Sequence, residues 1–136
     1  MRISFDFDGT LENDFDGTLN LQKIKIQQLA KKYVSEGHTV FIITKRYGPE
    51  MITSGLKNEH QKVLILAQIL DIPIQNCIFT NREFKHNVIV NQKIDIHFEN
   101  SEYEVELIND TCSKMGHKCL TVHIEIPYWQ DLLNKK

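Results

Sequence analysis

The sequence predicts an α/β fold, a Rossmann-like three-layer sandwich on a five-stranded, mainly parallel sheet. Three observations predict it. Short apolar, β-branched runs alternate with helical segments along the chain, the pattern of parallel strands joined by crossover helices. The run Thr39–Ile43 is apolar throughout, as in a strand covered on both faces. The first run closes with two acids, Asp6 and Asp8. Open α/β sheets bind their ligands outside the carboxyl ends of the strands.

Ile3–Phe5 reads as the first strand, and Gly9-Thr10 as the sharp turn after the acids. Phe15-Asp16-Gly17-Thr18-Leu19 repeats Phe7-Asp8-Gly9-Thr10-Leu11 eight residues on. The second copy follows Glu12-Asn13-Asp14, which cannot close a buried strand, so it reads as a loop or small hairpin beside the first. Asp14 and Asp16 could touch a ligand there. Leu21–Glu36 is a helix, with Leu21, Ile24, Leu29, Tyr33 and Val34 near helical spacing and Ile26 widening the apolar face. Gly37 stops it. The second strand, Thr39–Ile43, runs into Thr44-Lys45-Arg46. Tyr47-Gly48-Pro49 breaks the chain, and Pro49 suits the first turn of a short helix to about Leu56.

Glu59–Leu70 is the next helix, with Val63, Leu66, Ala67 and Leu70 inward; Pro73 ends that element and Asn76–Thr80 is the third strand. Phe84–Gln92 reads as a short helix and Ile94–Phe98 as the fourth strand. Ser101 caps the following helix, and Glu104 stands where a capping box places its acid. Leu107, Ile108, Cys112 and Met115 line its inner side, and Gly116 stops it. Cys119–Ile124 is the fifth strand, Trp129–Leu133 a terminal helical turn, and the tail from Asn134 is frayed.

At 136 residues the chain makes one domain, 1–136, long enough to bury a single core. The formal net charge of −2 supplies no basic field, so strong non-specific nucleic-acid binding is not expected. No run approaches the roughly 18 apolar residues of a membrane helix. The first strand begins at once, leaving no room for a signal peptide. The three cysteines, Cys77, Cys112 and Cys119, lack metal-type spacing and read as reduced thiols, so a cytoplasmic protein with no membrane partner is expected. The six histidines form no metal pair and read as surface or packing residues.

Asp6-Phe7-Asp8-Gly9-Thr10-Leu11 after a strand resembles the nucleophile motif of the haloacid dehalogenase (HAD) superfamily, Asp-x-Asp-Gly-Thr-Leu. The resemblance implies a magnesium-dependent phosphatase or phosphotransferase with a minimal cap. It also implies a central first strand, flanked by the second and third strands on one side and the fourth and fifth on the other. Asp6 would attack phosphorus and form an aspartyl-phosphate. Asp8 would protonate the leaving oxygen and then activate water. Two acids this close repel unless a cation intervenes, and Mg²⁺ prefers such oxygen ligands. In the family pattern the metal takes the first Asp side chain and the second Asp carbonyl, which assigns Asp6 and Asp8 as ligands.

Thr44, at the end of the second strand, looks like the family's second motif and would hold phosphoryl oxygens. Arg46 is a candidate substrate contact. The phosphate-neutralising cation could be Lys62, Arg82 or Lys85. The family places it at the start of the helix before the acidic strand, which selects Lys85, and Lys62 reads as a solvated residue. At the end of the fourth strand the family usually carries paired acids, and this chain has Glu99-Asn100. Glu99 supplies a carboxylate with an extra methylene and is the expected third metal ligand. Asn100 supplies an amide oxygen without charge, and Asp95 is the alternative acid.

No stretch is long enough for a large cap. An open site suits a bulky phosphorylated substrate, a small molecule, a nucleotide or a polynucleotide end, or closure by another subunit. Two other readings stay open: a phosphate-binding or regulatory protein with little turnover, and a phosphotransferase.

Overall fold

The computed structural model describes residues 1–12, 21–54 and 58–134. Its strands are β1 (Arg2–Phe5), β2 (Thr39–Thr44), β3 (Cys77–Phe79), β4 (Ile96–Glu99) and β5 (Leu120–His123). Its α-helices are α1 (Leu21–Ser35), α2 (Gln61–Ile69), α3 (His86–Asn91) and α4 (Glu102–Met115). Short 3₁₀ turns occupy Pro49–Ser54, Ile74–Asn76 and Trp129–Asn134. The sheet order is β3-β2-β1-β4-β5 and all four pairings are parallel. The expected fold class and strand order are therefore the observed ones. β1 is central, with Phe5 opposite Ile42 on one side and Phe98 on the other.

Alternation along the strands supplies two cores. Ile3, Phe5, Ile42, Ile96 and Phe98 point to the face covered by α1, α2 and the last 3₁₀ turn, where Ile26, Ala30, Val63, Ala67 and Trp129 meet them. Phe5 and Phe98 stack across the switch between β1 and β4, with centroids 4.6 Å apart, and Trp129 sets its edge against Phe98. Each such ring, fully buried, contributes about 1.5–3 kcal/mol. On the opposite face Phe41 and Ile43 pack on Ile89 of α3 and on Ile108 and Cys112 of α4. Ser4 and His97 also point to this second face, because they alternate with Phe5 and Phe98.

Three local expectations are corrected. The helix expected from Phe84 begins at His86, with Lys85 as its cap residue. Met115 is 66% exposed rather than inward, because it is the last residue of α4 before the left-handed Gly116 (φ 67°), where the inner face has nothing left to cover. The capping box at α4 is only half formed. The Ser101 hydroxyl accepts from Glu104 N at 3.4 Å, but Ser101 N donates to Glu99 Oε2 at 3.3 Å, and the Glu104 carboxylate turns into the fold. The second Phe-Asp-Gly-Thr-Leu copy, with Asp14 and Asp16, lies outside the described residues. All three cysteines are free thiols. Among the described residues no helix is long and apolar enough to cross a membrane.

Candidate active site

The turn after β1 is built by its own backbone. Asp6 N donates to Phe98 O at 2.9 Å and carries the β1–β4 ladder past the strand end. Phe7 O then accepts from Thr10 N, Leu11 N and Glu12 N at 3.2, 3.1 and 3.0 Å, which closes the loop. Phe7 and Leu11 anchor it in the core. From α1, Lys23 Nζ and Gln27 Nε2 hold the carbonyls of Glu12 and Leu11, each at 2.7 Å. Gly9 takes φ +78°, and a Cβ there would overlap the side-chain amide of Asn100. Both facts require glycine. Gly9→Ala is expected to cost about 1–2 kcal/mol from the left-handed backbone alone and to push Asn100 off the turn. Urea unfolding of the variant measures this.

Asp6 sits at the carboxyl end of the central strand, 4% exposed. Thr10 Oγ1 donates to its Oδ2 at 3.1 Å. Lys85, 2% exposed, donates from Nζ to Asp6 Oδ1 at 2.6 Å and to Glu99 Oε1 at 2.8 Å. Glu104 of α4 is the third carboxylate: its Oε1 accepts from Lys85 N at 3.2 Å and its Oε2 lies 3.8 Å from Nζ. That Oε2 is buried with no hydrogen-bond partner. Behind Glu99, His97 Nε2 lies 2.9 Å from Oε1, and His97 Nδ1 lies 2.6 Å from Ser4 Oγ.

Three buried acids therefore surround one buried ammonium. Burial pushes the Asp6 carboxyl up to about 7, and the Glu99 charge adds to the rise while Lys85 and Thr10 oppose it. For Glu99, burial also favours the neutral acid, but the His97 hydrogen bond and the Lys85 charge win and hold it down at about 2. Burial disfavours the Lys85 charge, yet Asp6 and Glu99 together raise its pKa above the usual lysine value. Burial lowers the pKa of His97.

Asp8 and Arg46 form a second cluster at the mouth. Arg46 Nε and Nη2 donate to the two Asp8 oxygens at 3.0 and 2.7 Å, a bidentate pair. The guanidinium lies 4.8 Å above the Phe7 ring, and its Nη1 donates to Glu59 O at 2.8 Å. Thr44 is fully buried at the end of β2, and its hydroxyl accepts from Arg46 N at 3.2 Å. The other cations pair with acids outside the Asp6 cluster: Lys62, its side chain 70% exposed, lies 3.9 Å from Glu12, and Arg82 pairs with Glu59 at 2.6 Å and covers the Tyr47 ring. Asp95 accepts from Arg2 N at 2.7 Å, at the opposite end of the sheet.

No protein-family model and no curated protein sequence matches the chain. Among solved structures, the HAD domain of the effector protein Lem4 from Legionella pneumophila aligns with a TM-score of 0.60 at 12% identity, over 98% of this chain and 92% of that one. The chain has the HAD fold.

Within the HAD fold, Asp6, Lys85 and Glu99 meet in direct contact, Asp8 and Arg46 meet beside them, and Thr44 joins through Arg46. Sequence reasoning missed Glu104, His97 and Ser4. Glu104 matches a capping box, which hides its inward turn. His97 alternates with the core residues Ile96 and Phe98, so it points away from their side of the sheet, and that alternation was the available signal. Among the described residues, no group of three His, Cys, Asp or Glu side chains is spaced to hold a metal ion. The Lys85 ammonium itself stands between Asp6 and Glu99.

Proposed function

We propose that the protein is a Mg²⁺-dependent phosphomonoester hydrolase that works through an aspartyl-phosphate on Asp6. One observation carries the reading: Asp6 ends the central strand with one oxygen on Lys85 and the other on Thr10. A nucleophilic carboxylate held by an ammonium is preorganised for an anionic phosphoryl group, whose charge Lys85 would share. Asp8, at the rim, would give its proton to the leaving alkoxide and later take one from water. Its pairing with Arg46 supports a substrate role for that arginine, since an incoming phosphate would compete for the guanidinium and free Asp8. The Thr44 hydroxyl and neighbouring backbone donors would hold phosphoryl oxygens.

In kind, the donors are those that magnesium takes, although Lys85 Nζ now stands between Asp6 and Glu99. Asp6, Glu99 and the Asp8 carbonyl are hard oxygen donors, and Asn100 lies against the same turn. The three buried acids outnumber the single ammonium, which leaves negative charge to be met. When bound, the ion would neutralise phosphoryl oxygens.

Two exposed rings favour a nucleotide or polynucleotide end as substrate. Phe84 and Tyr103, the chain neighbours of Lys85 and Glu104, have centroids 5.3 Å apart, and Lys45 Nζ lies 4.6 Å from the Phe84 ring. A base can stack on such a surface while a cation meets its phosphate. A second reading, a phosphate-binding protein with little turnover, draws on the full commitment of both Asp8 oxygens to Arg46. The test is hydrolysis of an aryl phosphate, nucleotides and 3′- or 5′-phosphorylated oligonucleotides with and without Mg²⁺. Release of phosphate only with the metal is expected. Phosphate binding without release would favour the second reading, and neither would remove both.

A further inference from the structure

Ser4 and His97 face each other in the β1–β4 register, and both are fully buried. Ser4 also pairs with Phe41 of β2, and the two polar side chains sit on the sheet face under α3 and α4 that carries Phe41 and Ile43. A buried hydroxyl or imidazole left without a partner there costs about 1–3 kcal/mol. Apolar side chains of similar size would fill the layer without that risk. The pair is nonetheless fully bonded, and its bonds lead to one place, the Glu99 oxygen that also receives Lys85.

For a neutral imidazole only one arrangement of protons satisfies the chain. An ionised carboxylate only accepts, so His97 Nε2 carries the proton and donates to Glu99 Oε1. Nδ1 then accepts from the Ser4 hydroxyl. Glu99 Oε1 thus takes two donors, from His97 and Lys85, while Oε2 takes the long bond from Ser101 N at 3.3 Å. The terminal torsion of a glutamate is intrinsically loose. Without His97 the carboxylate would be steered by Lys85 and Ser101 alone. Lys85, on four flexible methylenes, takes its own direction from Glu99 and Asp6.

We propose that His97, backed by Ser4, is a positioning residue for phosphoryl transfer: it fixes the Glu99 carboxylate and, through it, the Lys85 ammonium that faces Asp6. This role rests on the phosphatase reading. His97 touches neither the nucleophile nor the phosphate position, so its removal acts on the chemical step more than on substrate binding.

The test measures kcat and KM for Mg²⁺-dependent aryl phosphate hydrolysis, and thermal unfolding, for wild type, His97→Leu, His97→Gln and Ser4→Ala. Long-range ¹H–¹⁵N NMR of the wild type without added metal reads the His97 tautomer. His97→Leu is expected to lower kcat about 10-fold or more, the range typical of lost supporting contacts. KM should stay within about twofold, as for an interaction made in the transition state. His97→Gln keeps an N–H donor near the Nε2 position and is expected to recover most of kcat. Ser4→Ala should fall between them, and the NMR should show the proton on Nε2. If His97→Leu does not fold, Ser4→Ala and the tautomer decide.

Wild-type kcat in His97→Leu, equal losses in the Leu and Gln variants that track thermal stability, or a proton on Nδ1 would each overturn the role. An active wild type with unchanged variants removes this inference alone. A wild type without turnover removes the phosphatase reading and this role with it.

Discussion

Lys85→Met is expected to lose about 3–5 kcal/mol of folding stability, the cost of removing one partner from a buried ion pair. Lys85 is the ammonium placed among Asp6, Glu99 and Glu104, which are 4%, 1% and 3% exposed. A thioether of similar length fills the space but returns no charge or hydrogen bond. The carboxylates are left facing one another out of reach of bulk water. For a domain with a total stability of about 5–15 kcal/mol, this is a large fraction. Adding Glu104→Gln should recover part of the loss, because it removes one of the uncompensated acids, the one whose Oε2 has no hydrogen bond even with Lys85 present. The two substitutions touch the same cluster, so their effects should not add. Urea unfolding of the single and double variants measures both quantities. A Lys85→Met variant within about 1 kcal/mol of wild type would mean that the acids are not packed around the ammonium, since surface pairs are worth no more than that.

The fold was legible because its signals are local. The continuous apolar, β-branched run Thr39–Ile43 and the apolar strand before Asp6 are local signals, and the alternation with helices leaves few topologies open. The turn after Asp6 was legible for the same reason, as Gly9 and its neighbours are contiguous. Lys85 and Glu99 were reached through their charge together with the places that the family resemblance assigns along the order of strands and helices. What stayed hidden depends on pairs distant in sequence. Ser4 and His97 are 93 positions apart and meet only through the β1–β4 register. Glu104 shows two credible local roles, and the choice between them is made by Lys85, whose backbone N–H captures its carboxylate. Asp8 read as the acid and base and a metal ligand, and Arg46 as a substrate contact; their bidentate contact arises only when the ends of β1 and β2 are brought side by side.

Asp6→Asn is expected to lower Mg²⁺-dependent turnover by about a thousandfold or more while leaving the fold intact, because an amide cannot serve as the attacking oxygen anion. The fold persists because Lys85 keeps Glu99 at 2.8 Å and Glu104 at 3.8 Å, and an amide oxygen can still accept a hydrogen bond from it. Stability without added metal supplies an independent check. The Asp6 carboxyl rises from 3.8 to about 7 on folding, so the stability it contributes is present below pH 3.8 and is lost as pH climbs toward 7. Asparagine has no such loss, so the variant should gain on wild type as pH rises through that window. Asp8→Asn separates the two carboxylates of the motif. With the proton donor and acceptor removed but the nucleophile kept, breakdown of the acyl phosphate should slow, and an alkali-labile phosphoenzyme should persist. Labelled substrate should therefore mark wild type transiently, Asp8→Asn durably and Asp6→Asn not at all. A durable label on Asp6→Asn would place the nucleophile elsewhere and remove the basis on which the roles of Lys85, Glu99 and His97 are drawn.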